Sequence, residues 1–264
     1  MESVLSQSGP QVEYLVVDPG STDNTPEIIR AFQARYPGRV IHVTERDNGP
    51  ADGLNRAFAQ ATGDLFGYLN ADDYYLPGCF IHAVRAAQRF PNAAAVYADG
   101  FKADQDGRIL KRVVSTAFSA KRFVYGGALV LQQSTFYRAD AFRAVGGFNI
   151  ENRTSWDAEL LFDMSLKGMQ LVHVNGFWSV FRIHSQSITG SQRLAEESRK
   201  THGRYFRTVM GREKNALDRV ASKLVLGYTL LTEPRGLAAR VSDRFKGSMS
   251  YTKPKKLSQK NLAS

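Results

Sequence analysis

The chain has little cysteine and no long apolar run, and each scarcity removes a class of protein. One cysteine among 264 residues, Cys79, excludes an internal disulfide and any metal centre built from several thiolates. It reads as a small, buried helix residue. No stretch comes near the roughly 18 apolar residues of a membrane span, and MESVLSQSGP lacks a signal peptide's basic and apolar regions. These absences point to a cytoplasmic protein. Acidic residues are scarce at one end only. Residues 191–264 hold 17 Lys and Arg against 6 Asp and Glu, whereas residues 1–190 hold 18 against 19. The formal net charge of +10 therefore belongs to the tail. A nucleic-acid-binding reading rests on that tail alone, and the neutral body, with no nucleic-acid motif, counts against it. Basic residues with apolar patches such as LVLGYTLL, Leu224–Leu231, suit peripheral contact with an anionic membrane face or form a solvated helical face. The stretch after Met249 is polar and basic enough to be disordered.

What is present is enough for one large core. At 43% hydrophobic residues, the first 190 positions read as one α/β domain, and residues 191–264 as a helical, basic extension. Val12–Asp18 (VEYLVVD) is a short apolar run, as expected of a strand buried on both faces, and it ends in the turn residues PGSTDNT. Thr25 with Pro26 then opens a helix carrying Ile28, Ile29 and Phe32. A strand at Val40–Thr44, a helix over Ala51–Ala61, a strand at Leu65–Leu69, a helix from Gly78 to Phe90 and a strand at Ala94–Ala98 continue the alternation. Such alternation predicts a mostly parallel, Rossmann-like sheet flanked by helices, with ligands at the carboxyl ends of its strands. Beyond residue 100 the spacing predicts a hairpin at Asp106-Gly107, an extended piece at Gln133–Arg138, helices over Ala139–Val145 and Asp157–Leu166, and strands at Leu171–Val174 and Trp178–Ile183.

The segment YLNADDYYLPG places two carboxylates, Asp72 and Asp73, at the end of a buried strand. At roughly 4 Å two such charges repel by about 4 kcal/mol at an effective dielectric near 20, so a positive group is expected to compensate. A hard cation, Mg²⁺ or Mn²⁺, does this with one or two carboxylates and phosphate oxygens. Turn capping before Pro77 is the alternative reading of the pair alone.

Five segments widen the context: VEYLVVDPGSTDNTPEII, ERDNGPADGLNRAFAQATGDLFGYLNADDYYLPG, QQSTFYRADAFRAVGGFN, SWDAELLFDMSLKG and FRIHSQSITG. In this order and spacing, from about Glu2 to Ser187, the sequence resembles the family 2 glycosyltransferases, inverting enzymes of the A-type glycosyltransferase fold that use nucleotide-sugar donors. The resemblance implies that NADD is the DxD-type element. Asp73 is then a metal ligand for the donor diphosphate, with Asp72 near the ribose or donor sugar. Asp18 implies a nucleotide contact, and Asp47, Asp52 and Asn55 match a segment flanking the donor, although Asp52 and Asn55 equally well cap or orient their helix. Asp157 matches the acidic catalytic position. Glu159 is the alternative base or a supporting group, since side chains two apart on a helix point about 200° apart. His184 matches a histidine near the diphosphate, a ligand for metal or phosphate, and Arg182 either neutralises phosphate or lies on the surface. Trp156 stacks on an acceptor sugar or packs in the core.

Two departures from the family pattern carry expectations. ESVLSQ resembles the end of the family's first helix, so the resemblance implies that the first strand is absent, with the start upstream or this form unstable or poorly active. Pro19 stands where many family members read uracil with an acid, which bears on a donor that the resemblance otherwise makes a UDP-sugar. The function implied is transfer of a sugar to a glycan or lipid-linked acceptor in cell-surface polysaccharide synthesis. A non-catalytic nucleotide- or carbohydrate-binding remnant is the alternative.

Overall fold

A computed structural model describes residues 1–183 and 195–246. The alternation read from the sequence holds through the first hundred residues. After a short helix α1 (Glu2–Leu5), strand β1 (Tyr14–Val17), α2 (Thr25–Arg35), β2 (Val40–Val43), α3 (Pro50–Gln60), β3 (Leu65–Phe66), β4 (Tyr74–Tyr75), α4 (Cys79–Arg89) and β5 (Ala93–Ala103) follow. Then come β6 (Ile109–Val113), α5 (Ala120–Val124), a 3₁₀ turn (Gln132–Ser134), β7 (Thr135–Arg138), α6 (Ala139–Ala144), α7 (Trp156–Leu166) and β8 (Gln170–Arg182). Helices α8 (Ala195–Met210), α9 (Ala216–Thr232) and α10 (Arg235–Lys246) complete the described chain.

The α/β architecture agrees with the sequence, but the pairing is mixed rather than mostly parallel. β1 and β2 pair in parallel. The larger sheet runs β3-β7-β5-β8-β4, with β6 on β5, and in it only β5–β8 is parallel. The physical reason is connectivity. β4 follows β3, and β6 follows β5, through loops with no helix between, and β7 follows β6 with only the single-turn α5 and a 3₁₀ turn, none of them the long crossover helix that parallel neighbours need, and such returns give antiparallel ladders. The two strand pieces expected near residues 171–183 form one strand, β8, interrupted at Gly176, whose φ of +148° and the nearby register shifts absorb the irregularity. Conversely, LFGYL pairs over only two residues. A Cβ on Gly67 would sit 2.7 Å from the Phe136 ring, so the chain can pass there only as glycine.

β5 is the centre of the body. Its residues Ala93 to Gly100 are all buried, and its alanines let α4 approach closely. On one side lies an aromatic cluster of Phe58, Phe66, Tyr68, Tyr137, Phe142 and Phe148, with the Phe58 and Phe66 rings stacked at 4.5 Å. Cys79 is buried at the start of α4, and burial pushes its thiol far above the ordinary range.

The C-terminal helices pack on this body through few apolar and several ionic contacts. Tyr205 and Phe206 of α8 are buried with Val124 and Phe162. α9 begins with a capping box in which Asn215 and Asp218 exchange bonds, and Arg212 grips the Asp218 carboxylate at 2.7 and 2.9 Å. α10 is joined to the sheet by Arg235 on fully buried Asp99 (2.8 Å) and by Arg112 on Asp243 (2.8 Å). Among the described residues no helix is long and apolar enough to cross a membrane.

Candidate active site

The pairing of β4 with β8 places the NADD loop against the end of β8. Tyr74 and Tyr75 pair with Val180 and Ser179, which brings Arg182 beside the two aspartates. Asp73 is buried, and both its oxygens are held: Oδ1 accepts from the Arg182 backbone N–H at 2.8 Å, and Oδ2 accepts from Gln133 Nε2 at 2.7 Å and Asn70 Nδ2 at 3.4 Å. Burial, with Asp72 adding like charge, pushes the Asp73 carboxyl up to about 6. Asp72 is half-buried, and its carbonyl accepts from the Arg182 guanidinium Nε. His184 lies outside the described residues.

A second carboxylate lies at the start of α7. Asp157 lines a pocket of about 120 Å³ together with Gln132 and Tyr137 and the apolar side chains of Phe118, Phe123 and Leu129. Burial raises its carboxyl, against the lowering effect of first-turn N–H groups. The turn leading into α7 is ordered by Asn152, whose Oδ1 accepts from the N–H groups of Thr154 (3.0 Å) and Ser155 (3.1 Å). Trp156, next to Asp157, packs against the aromatic cluster.

Glu159 points elsewhere. It is buried, and its carboxylate accepts from Asn152 Nδ2 at 2.5 Å, Asn149 Nδ2 at 3.1 Å and Arg204 Nη2 at 2.5 Å. These three contacts join α7 to the preceding loop and to α8.

The loops after β1 and β2 supply the remaining acids. Asp18 is buried at the end of β1, where it accepts from the Ser21 N–H at 2.9 Å, and its bonds to Ser21 hold the carboxyl below the usual range. His42 Nε2 is 3.6 Å from its other oxygen. Asp47 accepts from the Gly49 N–H at 3.0 Å, and a Cβ on Gly53 would meet its Oδ2 at 2.4 Å, so glycine there makes room for it. Asp52 and Asn55 are engaged in their own helix and its neighbours. Asp52 accepts from the Asn48 N–H (2.9 Å) and from Arg56 Nη2 (3.1 Å), and Asn55 exchanges two bonds with the Phe148 backbone, at 2.8 and 2.9 Å.

Sequence reasoning did not single out Gln132, Gln133, Tyr137, Asn149 or Asn152. The only signal was the position of QQS directly before an apolar strand, where consecutive buried amides need partners on both sides. Here Gln132 donates to the Tyr68 carbonyl at 2.8 Å and lines the Asp157 pocket, while Gln133 holds Asp73. One turn thus holds Asp73 and lines the Asp157 pocket.

Residues 1–146 match the family model described as glycosyl transferase family 2, more than half of the chain. An uncharacterized glycosyltransferase of Nostoc sp. strain PCC 7120 is 35% identical over 77 residues, 29% of this chain and 24% of that protein. A chondroitin synthase of Escherichia coli is 23% identical over 175 residues, 66% of this chain and 25% of that protein. The chain spans about a quarter of the length of these two relatives. S. aureus TarS 1–349, solved with UDP-GlcNAc, shares the fold with a TM-score of 0.63 at 16% identity, covering 92% of this chain and 72% of that one. A mannosyltransferase of Pyrobaculum calidifontis, solved with GDP-Man and Mn²⁺, gives a TM-score of 0.60 at 18% identity, with 94% and 71% covered.

Proposed function

The chain belongs to glycosyl transferase family 2, and on that premise we propose that it transfers a sugar from a nucleotide-sugar donor, with inversion, to a hydroxyl placed beside Asp157. The observation that carries the reading is the Gln132–Gln133 turn, where Gln133 holds an acidic loop suited to a diphosphate and the adjacent Gln132 lines an acidic pocket suited to an acceptor. The two solved neighbours hold UDP-GlcNAc and GDP-Man, which supports the donor class.

The donor set of the NADD loop fits a Mg²⁺ or Mn²⁺ ion. It offers two adjacent hard carboxylates, one of them held above its ordinary pKa by burial and a like charge, and such an ion takes one or two carboxylates and fills its shell with phosphate oxygens. Asp72 and Asp73 would hold it, and His184 remains a further ligand expected from the sequence. When bound, the ion offsets charge on the departing diphosphate. Gln133 and the Arg182 amide hold the Asp73 carboxylate in place beside Asp72, so the pair is positioned by the fold before any ion arrives. Arg182 orders this loop through the Asp72 carbonyl. Asp18 and Asp47 shape the loops beside the nucleotide, whereas Asp52 and Asn55 support the frame.

At the acceptor, Asp157 takes the hydroxyl proton as the acceptor oxygen bonds to the anomeric carbon. The bond from that carbon to the donor phosphate oxygen breaks, and the nucleoside diphosphate leaves with the electron pair. A raised carboxyl is the stronger base for this step. Glu159 holds α7 and the Asn149–Asn152 turn in place.

The acceptor is a glycan or a lipid-linked hydroxyl of polysaccharide synthesis, a reading supported by the chondroitin synthase relative. Helix α9 supports a membrane setting. Its outer face carries exposed Leu217, Val220, Leu224, Tyr228 and Leu231, spaced three or four apart, with Arg219 and Lys223 alongside. The occupant assigned to this stripe is an anionic membrane face, because the surrounding residues 191–264 are strongly basic.

A thermal-shift screen of nucleotide sugars with and without Mn²⁺, followed by donor turnover, tests the proposal. Metal-dependent stabilisation by one nucleotide class, lost in Asp72→Asn, is expected. No stabilisation and no turnover with any nucleotide sugar would sink it.

A further inference from the structure

Resting on the reading of Asp157 as base, we infer that the acceptor offers it one hydroxyl carried on an apolar group about the size of a benzene ring, not the face of a bare hexose. The pocket beside Asp157 is unusually apolar for a sugar site. Phe118, Phe123, Leu129, Val130 and Leu161 form most of its wall, and the polar lining is limited to Asp157, Gln132 and Tyr137. Gln132 already spends one of its two amide N–H groups on the Tyr68 carbonyl. A hexose would bring several hydroxyls into this space, and each one left without a partner costs about 1–3 kcal/mol.

A single hydroxyl is well served. Tyr137 is fully buried, yet its hydroxyl has no hydrogen-bond partner among the described residues, and it lines the same pocket as Asp157. Such an orphan is rare in a folded interior and points to a ligand atom. A hydroxyl entering here accepts from Tyr137 and donates to Asp157, the donation that becomes proton transfer during the reaction. The volume agrees with this. A dry cavity of about 150 Å³ takes up benzene, and this pocket, at about 120 Å³, is smaller still, which sets a single ring as the upper limit and excludes a whole hexose.

The wall is preorganised. Leu129 N–H donates to Thr116 Oγ1 and Thr116 N–H to the Leu129 carbonyl, both at 2.8 Å. Next to this, a Cβ on Gly127 would lie 2.5 Å from Val225 of α9, and Thr229 of α9 reaches the Gly127 carbonyl at 3.3 Å. The helix with the exposed apolar stripe therefore buttresses the acceptor pocket on its inner face.

The test measures equilibrium binding of 4-methylphenol, toluene and methyl glucoside to the full chain by ligand-detected NMR, with thermal shifts by nucleotide sugars on the same samples. Expected are saturable binding of 4-methylphenol, weaker binding of toluene, and a loss of about fivefold in Tyr137→Phe, the worth of one hydrogen bond. Filling the pocket with Ala158→Leu should cut 4-methylphenol binding at least tenfold. If Ala158→Leu fails to fold, the nearly isosteric Tyr137→Phe still decides. Methyl glucoside binding more tightly than 4-methylphenol, or 4-methylphenol binding unmoved in Tyr137→Phe, overturns the inference. Donor stabilisation without 4-methylphenol binding overturns this inference alone. Binding of 4-methylphenol with no donor stabilisation or turnover overturns the transferase reading and the pocket's acceptor role with it.

Discussion

Asp157 and Glu159 sit two residues apart on one helix, and the structure predicts that neutralising each will have opposite consequences. In Glu159→Gln the shape is kept but the charge is lost. The carboxylate accepts from two amides and one guanidinium, at 2.5, 3.1 and 2.5 Å. A hydrogen bond to a charged group contributes about 1.5–3 kcal/mol against about 1 for a neutral one, and the new side-chain NH₂ must face an NH₂ of Asn149 or Asn152. Arg204 is 49% exposed, so its share is discounted for solvent screening. The expected loss is about 2–4 kcal/mol, or roughly 4–16 °C for a chain of this size. Activity per folded molecule should fall less than about tenfold. Asp157→Asn removes the proposed base, with an expected loss of about 10²–10⁴ in turnover. Its stability should hold or rise at neutral pH. Burial raises the folded carboxyl above its unfolded value, so the folded state binds the proton more tightly, and stability drains away as pH rises through that window. Thermal unfolding by circular dichroism and donor turnover on the same preparations check both. A Glu159→Gln protein that keeps its melting temperature yet loses turnover as deeply as Asp157→Asn would refute the division of labour.

The same raised carboxyl predicts that kcat/KM rises with pH on an acid limb lying above the ordinary Asp value of about 3.9. A limb at or below pH 4 in the pH–rate profile would contradict it. Asn55→Ala breaks two bonds to the Phe148 backbone and should cost about 2–3 kcal/mol in stability, with donor affinity measured by calorimetry unchanged. Arg235→Ala leaves fully buried Asp99 with His173 and the Ser115 N–H; a loss of about 2–4 kcal/mol is expected, discounted because Arg235 is partly exposed, and urea unfolding reads it out. Leu224→Gln together with Leu231→Gln should release the chain from vesicles containing anionic lipid in a flotation assay, whereas concentration-dependent dimerisation relieved by the same pair would assign the stripe to a second copy.

Much of the frame was legible because it is local. The apolar run ending at Asp18, the Pro-led helix at Thr25, the helix expected from Ala51 and the small-residue strand around Ala95 are set by neighbours in the chain. Where several long-range partners compete, local pattern misleads. LFGYL has the composition of a full strand, but it pairs with β7 over only two residues, next to the Phe136 ring that packs on Gly67. Two short apolar pieces around Gly176 became one strand, because β5 pairs along both of them.

At the site the division is sharper. The sequence alone determined which acids stand at strand and helix ends, and that their order resembles a glycosyltransferase. Only the tertiary structure decided which partners each acid has. Neighbouring side chains on a turn or helix point apart, and their partners come from far along the chain: Gln133 is 60 residues from Asp73, Arg182 is 109 from it, and Phe148 is 93 from Asn55. Residue type and local spacing carry no record of such pairings, so the acids bonded into the frame and the acid that lines a pocket separate only when the chain has folded.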